Sequence, residues 1–367
     1  MVDPIALAVP GFFALIGVET FVARRRGVRV YRLADSLTDL SCGVSSQIEA
    51  MFFAATQLAV YALVFARFRV VELHGWHAWL VAFVGVDFFY YWWHRASHEV
   101  NLLWAAHVVH HQSEDYNLAV ALRQSITTGW SALPFYLPLA LLGVPPLVFA
   151  VTHALSTLYQ FWIHTQLVGK VRGPLDWILN LPAHHRVHHA VNAQYLDKNY
   201  GATLIVWDRL FGTYVEEEEP CVYGITKPLA SFNPLWAQVH YFLELGRRTS
   251  RLRGVDRLRV WLASPAWVGT GEKKYEADVR SRAKYDVTPP RKMRQYVFAQ
   301  YTLLLAATSA LMFFHGALRP VPLAAACTVI AAGLVALGGL LESKPWARGL
   351  EGARLVASVV AATLVLI

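Results

Sequence analysis

The 367-residue sequence predicts an all-α, polytopic membrane protein: a helical transmembrane bundle carrying a histidine-rich helical cap, followed by a C-terminal bundle of three further membrane helices. Three observations lead there. Hydrophobic residues make up 56% of the chain and charged residues 16%, at a mean hydropathy of +0.36; a soluble domain carries about 25% charged residues. Apolar runs long enough to cross a bilayer recur along the chain, and basic residues close them. Finally, 11 of the 15 histidines fall between positions 94 and 189, most of them at helical spacing.

The first apolar run, 5–23, ends at Arg24-Arg25-Arg26. At about 1.5 Å rise per residue it is just long enough to span. No positively charged segment precedes it, so it reads as a retained anchor rather than a signal peptide. Residues 47–66 and 78–93 are the next two candidate spans, the second ending in the aromatic string Asp87-Phe-Phe-Tyr-Tyr-Trp-Trp93 of a membrane interface. Residues 131–163 are apolar but broken by Pro134, Pro138 and Gly143-Val-Pro-Pro146. Proline ends or kinks helices, so this stretch reads as a hairpin that returns His164 to the membrane face of His94. Residues 165–295 are polar enough to lie outside the membrane; the acidic run Glu216–Glu219 is a solvated loop, and 233–262 has the pattern of amphipathic helices. Residues 296–318, 322–341 and 353–367 are the last three spans.

This divides the chain into a catalytic membrane domain (1–235), an amphipathic linker segment (236–295) and C-terminal transmembrane helices (296–367). Arg24–Arg26, Arg291–Arg294 and Lys344, Arg348 and Arg354 fall on one side if every span is real. That side is cytoplasmic by the positive-inside rule, and the histidine clusters share it. The same basic flanks account for the net charge of +8 and the pI near 9.4. No basic stripe with interleaved aromatics is present, which excludes nucleic acid as a partner. Cys42, Cys221 and Cys327 are scattered and odd in number, so they make no disulfide framework.

The histidines carry the chemistry. His94 and His98 are four residues apart and share a helix face. His107, His110 and His111 follow an i, i+3, i+4 pattern; His185, His188 and His189 repeat it. His164 stands between the clusters and His184 precedes the third; both are counted as candidate ligands. Neutral imidazole binds first-row metals such as iron and zinc. One metal takes about four to six ligands, so this many histidines fits two metals, and two metals suit oxygen chemistry. Glu99, Glu114, Asp115 and Asp197 are the carboxylates nearest in sequence. His74, His77, His153, His240 and His315 stand alone and read as structural or surface residues. A transporter would hold its ligands at mid-membrane on broken helices, whereas these clusters lie beyond the spans.

At these residues the chain resembles the fatty acid hydroxylase/sterol desaturase superfamily, whose HxxxH, HxxHH and HxxHH boxes stand here as His94-Arg-Ala-Ser-His98, His107-Val-Val-His-His111 and His185-Arg-Val-His-His189. It is most similar to the alkylglycerol monooxygenase branch. The strings Tyr91–Trp104, Ala121-Leu-Arg-Gln-Ser125, Tyr159-Gln-Phe-Trp-Ile-His-Thr165, Asp197-Lys-Asn-Tyr-Gly201 and Trp207-Asp-Arg-Leu-Phe-Gly-Thr213 carry that similarity, chiefly over 35–235. The resemblance implies two irons on the box histidines (zinc is an alternative occupant of a purified sample), with Glu99 a signature residue of catalytic weight. It implies O₂-dependent hydroxylation of the carbon beside the ether oxygen of an alkylglycerol, giving a fatty aldehyde and a glycerol derivative. Tetrahydrobiopterin or another reductant, including a redox protein, would supply electrons. A sterol, carotenoid or fatty-acyl hydroxylase or desaturase is the alternative. The host membrane would be the endoplasmic reticulum in a eukaryote or the inner membrane in a bacterium.

Overall fold

The computed structural model describes residues 4–267 and 283–366, and within them every regular element is helical apart from two isolated β-bridges. In chain order the α-helices are α1 (Pro4–Arg25), α2 (Leu33–Phe68), α3 (Gly75–Glu99), α4 (Asn101–His111), α5 (Thr128–Leu141), α6 (Pro146–Trp162), α7 (Pro174–Ile178), α8 (Pro182–His189), α9 (Val206–Phe211), α10 (Pro234–Arg251), α11 (Asp256–Leu262), α12 (Arg291–Phe314), α13 (Pro320–Leu341) and α14 (Ala347–Leu366). Ile367, the end of the last expected span, and residues 268–282 of the expected linker lie outside the described residues.

Among the described residues, four segments are long and apolar enough to cross a membrane: Ile5–Arg25, Leu33–Phe68, Arg291–Ala317 and Pro320–Leu341. The 78–93 run forms the inner part of α3 but is not among them; it carries Asp87 and continues without a break into the first histidine box. Helices α5 and α6 have 14 and 17 residues and make the expected hairpin. Its turn needs a glycine: Gly143 has φ +82°, and a Cβ there would lie 1.9 Å from the Val71 carbonyl oxygen. Tyr61 donates to the Val144 carbonyl and the Val70 amide to that of Leu141, clamping the hairpin tip to the end of α2. The run 353–367 belongs to the longer α14, whose first half carries Arg348, Glu351 and Arg354, the last two ion-paired to each other and buried.

The aromatic string at the end of α3 is less a lipid-facing belt than a packing surface. Phe88, Tyr91 and Trp92 meet Phe211 of α9, and Tyr91 and Trp93 are buried. The C-terminal helices, expected as a bundle of their own, share a core with α2: Leu37 and Val44 of α2 pack with Val297, Tyr301 and Leu304 of α12 and with Leu334 and Leu337 of α13. Helix α2 is long because it serves both neighbours. At 36 residues it measures about 54 Å at 1.5 Å per residue.

The cap is built for close approach of its helices. A single extended residue, Val100 (φ −123°), separates α3 from α4. The corner is pinned by Asn101, which donates to the Val260 and Ser264 carbonyls. It folds the second histidine box back against the first, so that the rings of His98 and His111 come within 4.7 Å of each other.

Candidate metal centre

Two groups of imidazoles converge inside the cap. His94, His98, His107, His111 and His188 form one, and His110, His164, His185 and His189 the other; within each group the ring nitrogens lie within 4.8 Å of one another. The groups abut, with the rings of His111 and His189 stacked at 4.4 Å. In the second, Nε2 atoms follow one another from His110 to His164 (3.2 Å), to His185 (3.0 Å) and to His189 (3.2 Å). In the first, the Nε2 of His107 faces those of His94 (3.0 Å) and His111 (3.1 Å) at once.

One ring nitrogen has either a proton or a lone pair, so it cannot satisfy two facing imidazole nitrogens as a hydrogen bond. A metal can. Two nitrogens at about 2.1 Å from one ion and at right angles lie about 3.0 Å apart. The Nε2 atoms of His98 and His188 are buried without any hydrogen-bond partner, an expensive arrangement that a cation relieves. Burial first, then the charge of neighbouring rings, holds His94, His98, His107, His111, His185 and His189 well below the ordinary histidine range. Burial lowers His164 likewise, and brings His110 to about 4 and His188 to about 3. The rings are therefore neutral at neutral pH, the state that binds metal.

Four rings are oriented by backbone carbonyls through Nδ1: His94 by Tyr200 (2.7 Å), His188 by Lys198 (3.0 Å), His110 by Arg123 (2.9 Å) and His164 by Gln160 (2.7 Å). A donated Nδ1 proton leaves the Nε2 lone pair facing the centre. The carbonyls are themselves fixed. The loop bearing Lys198 and Tyr200 has positive φ at Asp197 (58°) and Asn199 (55°), and Asp208 holds it by accepting from the amides of Tyr200 and Gly201, both at 2.7 Å. Arg123, fully buried, donates to Asp39 (3.0 Å), Gln112 (2.6 Å) and the Val109 carbonyl (2.6 Å). Sequence reasoning missed these anchors as anchors, although they sit in the strings 121–125, 159–165 and 197–201.

His184 and Glu99 lie outside both groups. His184 is buried and faces Asp176 at 2.9 Å, while its other ring nitrogen accepts from the Leu181 amide. Glu99 is paired with Arg95 at 3.0 Å. No carboxylate joins either group among the described residues; Asp115 pairs with Arg32 and Lys284 instead, and Glu114 accepts from the Tyr285 amide.

Two cavities reach the centre, from different sides. One, of about 330 Å³, touches His107, His110 and His164 and runs between α1, α2, α5, α6 and α12, walled by Phe12, Phe13, Phe161, Leu305 and Met312 among others. Tyr90 and Trp93 of the aromatic string line it, as do Tyr136 and His153. The other, of about 290 Å³, touches His98, His111, His188 and His189 and is lined by charged side chains from α10 and the loops after α8.

The fatty acid hydroxylase family matches residues 79–213, the stretch that holds all three boxes. The alkylglycerol monooxygenase of Homo sapiens is 38% identical over 363 residues, 96% of this chain and 81% of the relative. That of Danio rerio is 39% identical over 360 residues, 95% of this chain and 80% of the relative. An ornithine lipid hydroxylase of Rhizobium tropici is 32% identical over 167 residues, 43% of this chain and 50% of the relative. No solved structure matches. The chain belongs to the alkylglycerol monooxygenase family and is an oxidoreductase of the fatty acid hydroxylase type.

Proposed function

We propose that this membrane oxidoreductase inserts one oxygen atom of O₂ into the C–H bond beside the ether oxygen of an alkylglycerol, at two irons held by His94, His98, His107, His110, His111, His164, His185, His188 and His189. The observation that carries the reading is the apolar cavity leading from membrane-spanning helices α1, α2 and α12 to three of these rings. A lipid tail dissolved in the bilayer enters such a cavity by exchanging one apolar surrounding for another, while the polar head stays near the cap.

The bound irons would supply the activation of O₂ and the attack on the C–H bond. The chain's own work is orientation and exclusion. The carbonyls of Tyr200, Lys198, Arg123 and Gln160 hold four rings so that their Nε2 atoms converge. The walls of α1, α6 and α12 keep water from the reacting carbon and present the tail end-on. The hemiacetal so formed then collapses by breaking its C–O bond: the hydroxyl proton leaves, the carbonyl of a fatty aldehyde forms, and the glycerol oxygen is protonated. His184 and Glu99 take supporting places in this reading, His184 by tying the start of α8 to Asp176.

The electron donor is a tetrahydrobiopterin-like molecule or a redox protein. The basic residues beside the cap favour a cytoplasmic face for it. Residues 1–235 form the catalytic unit, and the helices from 296 onward complete its lipid cavity through α12.

Metal analysis coupled to an O₂-dependent assay, offering a 1-O-alkylglycerol and a sterol side by side, tests this. Two irons per chain and aldehyde from the ether lipid alone are expected. Hydroxylated sterol with no aldehyde would overturn the substrate assignment.

A further inference from the structure

Part of the polar stretch 165–295 folds back to the level of the membrane helices. Helix α1 ends at Arg25, and the next residue, Arg26, donates to the Leu167 carbonyl (2.8 Å). The loop after α6 therefore lies beside the point where a spanning helix leaves the membrane. From there the chain runs toward the membrane. Tyr159, one turn before the end of α6, donates to the Asn180 carbonyl (2.8 Å). Asp87 accepts from the amides of Thr203 (2.7 Å) and Leu204 (3.1 Å) and from the indole of Trp207 (2.8 Å). Asp87 precedes His94 on α3 by two turns, which is about 10 Å along the axis. Helices α7 and α9 thus hang on the outside of α3 and α6, on the membrane side of the histidine rings. They are joined to each other by the Ile205 amide, which donates to the Ile178 carbonyl (3.0 Å), and by the bridge of Leu179 with Leu204.

The elbow so formed is apolar on its outer side. Ile178, Leu175, Trp177 and Leu210 are exposed by 48%, 56%, 64% and 69%. A contiguous apolar patch of this kind marks an interaction site. The Arg209 guanidinium lies over the Trp177 ring (4.2 Å) and braces it. Basic side chains border the patch. Arg24, Arg25, Arg26, Arg29 and Arg172 are exposed, and none of them makes an ion pair among the described residues; Lys170 is paired with Glu216 (3.2 Å).

We propose that this elbow, α7 with α9, lies in the headgroup layer of the bilayer and gathers anionic lipids there. An indole among aliphatic side chains under a rim of cations is the composition of an interfacial membrane segment. The cations meet the headgroups, where each attracts negative charge. Continuity decides for lipid over a protein partner: the patch adjoins the end of α1, so a protein covering it would have to displace the bilayer that α1 already spans. The inference holds whichever lipid the centre oxidises. It also gives His184 a reason for its place. Asp176, between the exposed Leu175 and Trp177, faces the buried His184 at 2.9 Å, and His184 immediately precedes the third histidine box. The lipid surface and α8 thus share one support.

The test uses the full-length, metal-loaded protein in nanodiscs of phosphatidylcholine. A minor share of the lipid carries brominated chains, which quench an indole on contact, under either a phosphatidylglycerol or a phosphatidylcholine headgroup. The emission lost in Trp177→Phe, a mild change at an exposed side chain, isolates the Trp177 signal. Equal metal content in the two proteins shows that the fold is kept. Trp177 is expected to be quenched by the brominated lipids, more by the anionic one, and to be sheltered from acrylamide in the water. Arg172→Ala should cut the anionic preference by up to about fivefold, the worth of one cation at a charged surface. Lys170→Ala should cut it less, because Glu216 already meets that charge. Quenching by acrylamide and by neither lipid would put the patch in water and overturn the proposal. Equal quenching under both headgroups overturns it as well, as does protection from all three quenchers, which would place protein on the patch.

Discussion

The two histidine groups differ in what holds them and in what they face. The five-ring group is oriented from a loop: the Lys198 and Tyr200 carbonyls sit on a segment with positive φ at Asp197 and Asn199, held by Asp208. The four-ring group is oriented from α6, through Gln160, and from the buried ion pair of Arg123 and Asp39. The first looks mainly into the polar cavity and the second into the apolar one. Loop anchors give way more readily than helix and ion-pair anchors. The group facing the lipid is thus the rigid one, and rigidity is what selective attack on one carbon among many alike requires.

The largest effect is expected where the comparison is most exposed. His110→Ala removes a ring from the smaller group, leaving three, and should abolish turnover together with one of two metal equivalents. Metal content and aldehyde formation are measured on the same sample. Full metal with full turnover would mean that His110 is no ligand and that the groups are drawn wrongly.

Acid comes next, in the metal-free protein. The folded rings lie well below the free value, with His110 near 4 and His188 near 3, against about 6.5 in an unfolded chain. Between those values the unfolded chain binds protons that the folded one excludes. Stability is therefore full above about pH 6.5 and falls as the pH drops toward the folded values. Melting at pH 7.5 and at pH 5 measures this. Equal melting temperatures would show that the rings are not buried in neutral form, and bound metal should reduce the difference.

The anchors supply the third test. Arg123→Ala leaves Asp39 as an uncompensated buried charge and should cost about 3–5 kcal/mol. Asp208→Asn replaces one of the two acceptor oxygens that hold the loop by an NH₂ donor and should cost about 1–3 kcal/mol. Denaturant midpoints of the metal-free variants rank the two. Metal retention then tells which group each anchor serves: Arg123→Ala should loosen the four-ring group and Asp208→Asn the five-ring group. The opposite assignment would reverse the comparison.

Much of this is legible in the sequence. Helical spacing alone put the boxes on helix faces, and the resemblance named the chemistry. What sequence does not reveal is the partition into five and four, because it cuts across the boxes: His110 leaves its own box to join His164, and His188 leaves His185 and His189 to join His94. Which face a ring takes depends on the one-residue corner at Val100 and on which carbonyl it meets, and both are tertiary. The anchors are carbonyls, a group every residue carries, so no side chain marks them. The C-terminal helices are visible as apolar runs, but their packing rests on tertiary contacts: Leu304 of α12 lies over Gly333 of α13, where a Cβ would meet a methyl at 2.7 Å, and both helices share a core with Leu37 and Val44 of α2. His153, which read as a lone structural residue, lines the lipid cavity.

The smallest expected effect sharpens the apolar side. The Tyr136 ring is 3% exposed and lines the lipid cavity, edge-on to His153 at 5.2 Å. It stands on the wall of the cavity where a lipid's polar atom could reach its hydroxyl. A hydroxyl kept for a substrate adds nothing to the stability of the resting protein, since a buried polar group stabilises only through a partner. Tyr136→Phe removes the hydroxyl and keeps the ring. If the group serves the substrate's polar head, the variant should melt at the same temperature or higher, yet show a KM for 1-O-alkylglycerol raised about three- to tenfold, the worth of one neutral hydrogen bond. A purely structural tyrosine would move the two the other way: stability would fall and KM would stay. The opposed signs make Tyr136 a test of whether the lipid cavity reads only the tail or the head as well.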